Sequence, residues 1–442
     1  MLTAQDNEFM CRVGPGTPMG TYLREYWVPS TVTSALLPAP DCPPIRVRLL
    51  GENLIAFRTT SGKVGLVANA CPHRGASLFF GRNEEEGLRC VYHGCKFDVE
   101  GNCVDMPSEP AESNFKSKVQ VRAYPTIERN GMVWTYMGKR ETPPPFPEFE
   151  FNTAPEEMTY YPGMVFYDCN WVQSMEGDID SSHIDYLHSR LQQEEVPVDR
   201  VGGGTFFNRD KTPNLLAHPM EYGAVYAGQR QWDEQGNYHY RITQFLLPFY
   251  TMVAGGGPSV TFNAWVPLDD EHTIQISFRT NLKEPAPPEM REPRDPYTRI
   301  GGYLPATSDP ITRFRSPARR ENDYMLDYEI QRTRMFSGIP REGKLQDMAV
   351  MESMGTIYDR PSEHLGRSDT MIIAVRRTIV NAAKALQERG EVHATVDSPK
   401  MYRQRSVEII LPKGVDWFEA TENHRRSDGN IRIANFVTAE MV

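Results

Sequence analysis

No uninterrupted apolar run in the 442-residue sequence approaches the ~18 residues that a membrane-spanning helix requires. The opening stretch, Met1 to Phe9, carries neither the basic segment nor the apolar core of a signal peptide. Long Lys/Arg runs are absent too, and 48 basic against 58 acidic residues leave a net charge of −10, which recommends neither a nucleic-acid nor an anionic-membrane partner. A soluble, cytoplasmic protein is expected. Cysteine is sparse: the seven at positions 11, 42, 71, 90, 95, 103 and 169 form an odd set in a long chain, so metal binding or plain burial is a better reading than a disulfide framework. Internal repeats and low-complexity tracts are also missing. The length, about three times a typical domain, predicts two or three domains.

The texture that is present is mixed. Ile45, Val47 and Leu49 alternate with Arg46 and Arg48, and turn signals at Gly51-Glu52-Asn53 and Ser61-Gly62-Lys63 bound Leu54-Ile55-Ala56-Phe57 and Val64-Gly65-Leu66-Val67. Short antiparallel hairpins are predicted there. The stiff segment Thr142-Pro143-Pro144-Pro145-Phe146-Pro147 interrupts this pattern and marks a domain boundary. Beyond it, 170–190 read as helical, 222–282 alternate as strands, 285–296 form a Pro-rich loop and 316–338 read as helix. A further helix, capped by Ser368 or Asp369, carries Ile372, Val375, Ile379, Ala383 and Leu386 on one stripe, with Gly390 just past its end. A central sheet flanked by helices, an α+β arrangement, follows.

Two constellations carry chemistry. Cys71-Pro72-His73 and Cys90-Val91-Tyr92-His93 offer two thiolates and two imidazoles on two loops, with 16 residues between His73 and Cys90. One zinc ion can take all four, whereas a Rieske centre places both thiolates on one iron and both imidazoles on the other. Each loop pairs one Cys with one His, and zinc modules more often pair like with like, so the spacing favours the cluster. Glycines 75, 81, 87 and 94 let backbone approach sulfur. The second constellation is Asp180, His183 and His188. On an ideal helix Asp180 and His183 lie ~60° apart, but His183 and His188 lie ~140° apart, so two ligands require local unwinding.

Asn69-Ala70-Cys71-Pro72-His73-Arg74-Gly75-Ala76 and Tyr92-His93-Gly94-Cys95-Lys96-Phe97-Asp98 resemble the two cluster loops of Rieske oxygenases, many of which carry Trp where this chain has Cys95. Cys95 and Cys103 are then spare, buried thiols. The run from Asp180 through His183 to His188 resembles the iron motif of the same family, in which two His and one carboxylate leave positions open on iron(II). By that resemblance Asp180 bridges His183 to a cluster ligand such as His93 of a neighbouring subunit. Asp347, in Gln346-Asp347-Met348-Ala349-Val350-Met351-Glu352, matches the third ligand, with Glu352, Asp359 and Asp327 as rivals.

The resemblance spans almost the whole chain and is nearest the phthalate dioxygenase-like group, through Arg24-Glu25-Tyr26-Trp27 and the late run Glu352 to Gly366. It implies an N-terminal helical segment (1–27), a small all-β Rieske [2Fe–2S] domain (28–142) and a catalytic domain (143–442) with a helix-flanked antiparallel sheet of helix-grip type. It further implies a homotrimer or stacked trimers, and NAD(P)H electrons arriving from a separate reductase with flavin and a plant-type ferredoxin cluster. O₂ is then activated beside an aromatic substrate, carboxylated by analogy with the group. Arg209 and Arg241 are candidate substrate contacts, with a surface salt bridge as the competing role. The product could be an arene cis-diol, a phenol, or an aldehyde after O-demethylation. A Rieske electron carrier without oxygenase activity needs only the first ~140 residues, and neither the chain length nor the His183/His188 pair suits it.

Overall fold

The computed structural model describes residues 2–38, 42–191, 211–255, 259–427 and 436–437. Thr3 and Thr17 accept hydrogen bonds from Asp6 N and Gly20 N and so start the short helices Ala4–Cys11 and Pro18–Leu23, the second with Pro at its first position. This segment docks on the large domain. Lys384 Nζ lies 2.8 Å from Asp6, and Asn7 Nδ2 donates to Tyr358 O.

Ten strands follow: β1 (Trp27–Val32), β2 (Ile45–Leu49), β3 (Glu52–Arg58), β4 (Val64–Ala68), β5 (Arg82–Glu84), β6 (Gly87–Arg89), β7 (Lys96–Phe97), β8 (Cys103–Asp105), β9 (Thr126–Arg129) and β10 (Met132–Tyr136). They form three small antiparallel sheets, ordered β1-β10-β9, β2-β3-β4 and β5-β6-β7-β8. The hairpins read from 45–68 are β2, β3 and β4. The continuous apolar run in β3 has a reason: Leu54 and Ala56 enter the core shared with the large domain, while Ile55 and Phe57 face a separate core with Leu78, Leu88, Phe97 and Val121. That second core holds Cys71, Cys90, Cys95 and Cys103.

The larger sheet has nine strands: β11 (Gly163–Tyr167), β12 (Asn214–Met220), β13 (Gly223–Gln231), β14 (Asn237–Leu246), β15 (Tyr250–Val253), β16 (Ser259–Pro267), β17 (Thr273–Asn281), β18 (Val407–Pro412) and β19 (Phe436–Val437). Its main path runs β11-β17-β16-β15-β14-β13-β12, with β18 pairing β14. The helix Thr370–Arg389 lies against β12 and β13 and buries Met371, Val375, Ile379 and Ala383 at helical spacing. Gly390 ends it in the left-handed conformation (φ 67°).

Two sequence readings are corrected. Residues 316–338 are not one helix: Asp323, Tyr324 and Met325 all have positive φ (48°, 53° and 55°), which turns Tyr324 inward, and only Tyr328–Thr333 is α-helical. The stretch 170–190 is likewise broken. Trp171–Glu176 is α-helix, Gly177–Ile179 is a 3₁₀ turn, Asp180 is extended, and a single helical turn, Ile184–Leu187, resumes after His183. The unwinding therefore lies outside the His183–His188 interval, not within it. Among the described residues no helix is long and apolar enough to cross a membrane.

Candidate metal centres and cavity

The two loops that carry the Cys–His pairs are built alike. Cys71 N donates to Ala76 O and Gly75 N to Cys71 O, both at 2.8 Å; Cys90 N donates to Cys95 O at 2.8 Å and Gly94 N to Cys90 O at 3.0 Å. Each loop closes through a glycine at positive φ, 76° at Gly75 and 80° at Gly94, a conformation a Cβ would strain. Gly81 and Gly87 serve packing instead, since a Cβ there would meet Leu78 O at 2.8 Å and Phe97 O at 2.6 Å. Arg89 braces the second loop, donating to Gly94 O and Asp105 and pairing with Glu84.

The Cys71 and Cys90 thiols are buried, while the half-buried His73 and His93 rings stand 4.5 Å apart between centroids. Two features fit a metal cluster. His73 Nδ1 is buried without a hydrogen-bond partner, and burial pushes the Cys71 thiol up to about 12, so a thiolate there needs a cation beside it. Sulfur inside and imidazole toward the surface suits a cluster whose two irons take different ligands. Cys95 and Cys103 are buried in the same core.

The second centre lies on the large domain. His183, His188 and Asp347 present ligand atoms all within 4.8 Å of one another, the one such group among the described residues. Asp347 Oδ1 is 3.5 Å from His183 Nε2 and 3.2 Å from His188 Nε2. Burial opposes a charge on His183, but the Asp180 and Asp347 carboxylates outweigh it and lift its pKa to about 9. Burial likewise opposes charge on Asp347, yet its two imidazole neighbours hold its carboxyl well below the usual range. The arrangement demands a cation, either a proton or a metal. Asp180 Oδ2 stands 3.5 Å from His183 Nδ1, and its Oδ1 accepts from Ser182 N. Of the rivals, Asp327 caps a helix, Asp359 is exposed and Glu352 is buried elsewhere.

Tertiary contacts hold this geometry. Asp178 Oδ2 accepts from Thr251 Oγ1 and Asn263 Nδ2 at 2.7 Å and from Trp265 Nε1 at 2.9 Å, tying the 3₁₀ turn to β15 and β16. Its Oδ1 is 3.3 Å from Lys344 Nζ, next to the helix Leu345–Ser353 that carries Asp347. On the other side of the turn, the buried Arg230–Asp185 pair, 2.9 Å apart, joins the helical turn between the two histidines to β13. A cavity of ≈ 250 Å³ opens on the triad, lined also by Asp180, Arg241, Arg341, Lys344 and Glu408. Arg241 is buried and donates from Nε to Ala254 O, so it is no surface residue. Arg209 lies outside the described residues.

The family model of the Rieske [2Fe–2S] domain matches residues 27–125, and that described as LigXa C-terminal domain like matches 135–437. The 3-chlorobenzoate-3,4-dioxygenase oxygenase subunit of Comamonas testosteroni is 39% identical over 98% of this chain and 100% of its own length. The chain belongs to the Rieske non-haem iron oxygenases. The phthalate 4,5-dioxygenase oxygenase subunit of Pseudomonas putida is 35% identical over 98% of both chains. A solved structure of dicamba monooxygenase bound to 3,6-dichlorosalicylic acid shares the fold, with a TM-score of 0.56 at 18% identity over 84% of this chain and 99% of that one. As a Rieske oxygenase the protein is an oxidoreductase that uses a [2Fe–2S] cluster, a mononuclear iron and O₂.

The sequence did not single out Asp178, Lys344, Arg341, Gln346 or Glu408 as part of the site. Gln346 directly precedes Asp347 and Lys344 stands three residues before it, which is the only signal available. Glu352, one of the rivals for the third ligand, is engaged elsewhere: its Oε2 accepts from Tyr324 OH at 2.5 Å and its Oε1 from Asp168 N at 2.8 Å. Burial pushes its carboxyl up to about 7 against these donors. A carboxyl that binds its proton more tightly in the folded state stabilises below its unfolded pKa, and that contribution is lost as pH rises through the folded value. Thermal melts should show stability falling from about pH 5 to 7, by on the order of 2–3 kcal/mol at about 1.4 kcal/mol per pKa unit. Glu352→Gln should flatten this slope; an unchanged slope would assign it to other groups.

Proposed function

We propose that this chain is the terminal oxygenase of a multicomponent system that dihydroxylates the ring of an aromatic carboxylate. The observation that carries the reading is full-length similarity to oxygenase subunits named for 3-chlorobenzoate and phthalate. The cavity on the triad is where such a substrate would sit: Arg241, Arg341 and Lys344 stand in its wall beside Asp178, Asp180, Asp347 and Glu408, with Lys344 3.3 Å from Asp178.

In this reading Cys71, Cys90, His73 and His93 hold the cluster, and His183, His188 and Asp347 hold iron(II). The cluster supplies single electrons and the iron supplies open positions for O₂. The protein's own part is to orient the ring over the triad and to neutralise its carboxylate, with Arg241 and Arg209 as substrate contacts. Electrons come from NAD(P)H through a flavin- and ferredoxin-type reductase. The cytoplasmic enzyme is a homotrimer or stacked trimers, in which Asp180 links His183 to His93 of a neighbouring subunit. Asp180 is suited to that link because one carboxylate oxygen is fixed by Ser182 N while the other faces His183.

Turnover of mono- and dicarboxylated arenes under isotopically labelled O₂ tests the reaction. A cis-diol carrying two label atoms is expected; one label atom in the aromatic product would favour methyl hydroxylation, and an unlabelled phenol released with formaldehyde would favour O-demethylation, for which the 29% identical 5,5'-dehydrodivanillate O-demethylase oxygenase subunit of Sphingobium sp. is a precedent. Asp180→Asn should keep both irons and slow single-turnover electron transfer between them. An unaltered rate would remove its bridging role.

A further inference from the structure

Gln346 is a buried amide immediately before Asp347, with 3% of its surface exposed. Its Nε2 lies 2.9 Å from Ile339 O and 2.8 Å from Ser337 Oγ, and its Oε1 lies 2.7 Å from His188 Nδ1. The Ile339 carbonyl can only accept, so the amide nitrogen must face it. The amide oxygen is thereby committed to His188, and the ring nitrogen that faces an oxygen must carry the proton. His188 in its neutral form is therefore the Nδ1–H tautomer, with the Nε2 lone pair directed at Asp347 Oδ1, 3.2 Å away. A lone pair and a carboxylate oxygen held at that distance repel unless a cation sits with them.

We propose that Gln346 is the positioning residue that sets the tautomer and ring orientation of His188, so that the triad is preorganised for its metal. This rests on the reading that His183, His188 and Asp347 form the metal site. Gln346 acts through His188 and does not touch the metal. The tether reaches back to Ser337 and Ile339, in the segment that leads into the helix Leu345–Ser353, so the loop conformation and the ligand orientation are coupled through one side chain. Metal-bound histidines depend on such partners, and losing one weakens metal binding by about 10- to 100-fold.

The test is Co(II) affinity of the chelator-treated oxygenase with its [2Fe–2S] cluster retained, read by the ligand-field absorption of the bound ion. Gln346→Leu should bind Co(II) about 10- to 100-fold more weakly than the parent, with the cluster spectrum unchanged. Gln346→Glu, which still offers Nδ1–H an acceptor but sets an oxygen against Ile339 O, should bind more tightly than Gln346→Leu without melting higher. That ordering separates a tautomer effect from general loosening of the fold. An affinity in Gln346→Leu equal to the parent's overturns the proposal. Should that variant not fold, Ser337→Ala decides: it removes one tether and touches no ligand, a smaller loss is expected, and no loss overturns. Failure of the parent to bind Co(II) at all would instead overturn the metal-site reading.

Discussion

His183→Ala is expected to abolish turnover and to leave the rhombic [2Fe–2S] spectrum of the reduced protein intact. The loss should exceed the roughly 100-fold that follows removal of a mere partner of a metal ligand, because an imidazole donor itself disappears. Survival of the cluster follows from the packing: the four proposed cluster ligands sit on loops around the core of Ile55, Phe57, Leu78, Leu88 and Phe97, whereas Val172, Met175 and Ile179, which lead to His183, belong to the core of the large sheet. A local defect in one does not remove side chains from the other. Loss of both activity and cluster would assign His183 a folding role, and retained turnover would exclude it as a ligand. Asp347→Ala should behave in the same way, since its carboxylate contacts both histidines.

Much of the site was legible because metal chemistry restricts residue types. Two Cys and two His at matching offsets on two turns leave few alternatives, and the structure adds the equivalent glycines Gly75 and Gly94. Asp180, His183 and His188 were legible as a break in helical phase, although the break falls at Asp180 and the histidines flank one intact turn. Contacts between distant segments were not legible. Asp178 acts through Thr251, Asn263, Trp265 and Lys344, and Gln346 through His188. Neither pattern has a period. The stretch 316–338 departs from its helical pattern for a related reason: Tyr324 is drawn inward by Glu352, and three consecutive left-handed residues override what the local pattern favours. Arg241 shows the same limit, since an arginine in an alternating strand gives no sign of whether it faces solvent or a cavity.

His73→Ala and Cys90→Ser are expected to eliminate or visibly shift the rhombic spectrum, with turnover lost along with the electron inlet. Cys95→Ser is the informative contrast. Four thiols share one small core, so burial alone does not distinguish ligands from bystanders. Loop geometry does: Cys71 and Cys90 begin matched loops and each accepts the closing bond from its glycine, whereas Cys95 only supplies the carbonyl that receives Cys90 N. Cys95→Ser should therefore retain the spectrum and lose some stability, because a hydroxyl replaces a fully buried thiol. The reverse pattern, with loss at Cys95 and tolerance at Cys90, would overturn the ligand set. His73 gives an independent check, since its buried Nδ1 has no protein partner. If that atom binds iron, its removal is felt in the spectrum; if it is only an unsatisfied core atom, His73→Ala leaves the spectrum unchanged and relieves a cost of about 1–3 kcal/mol.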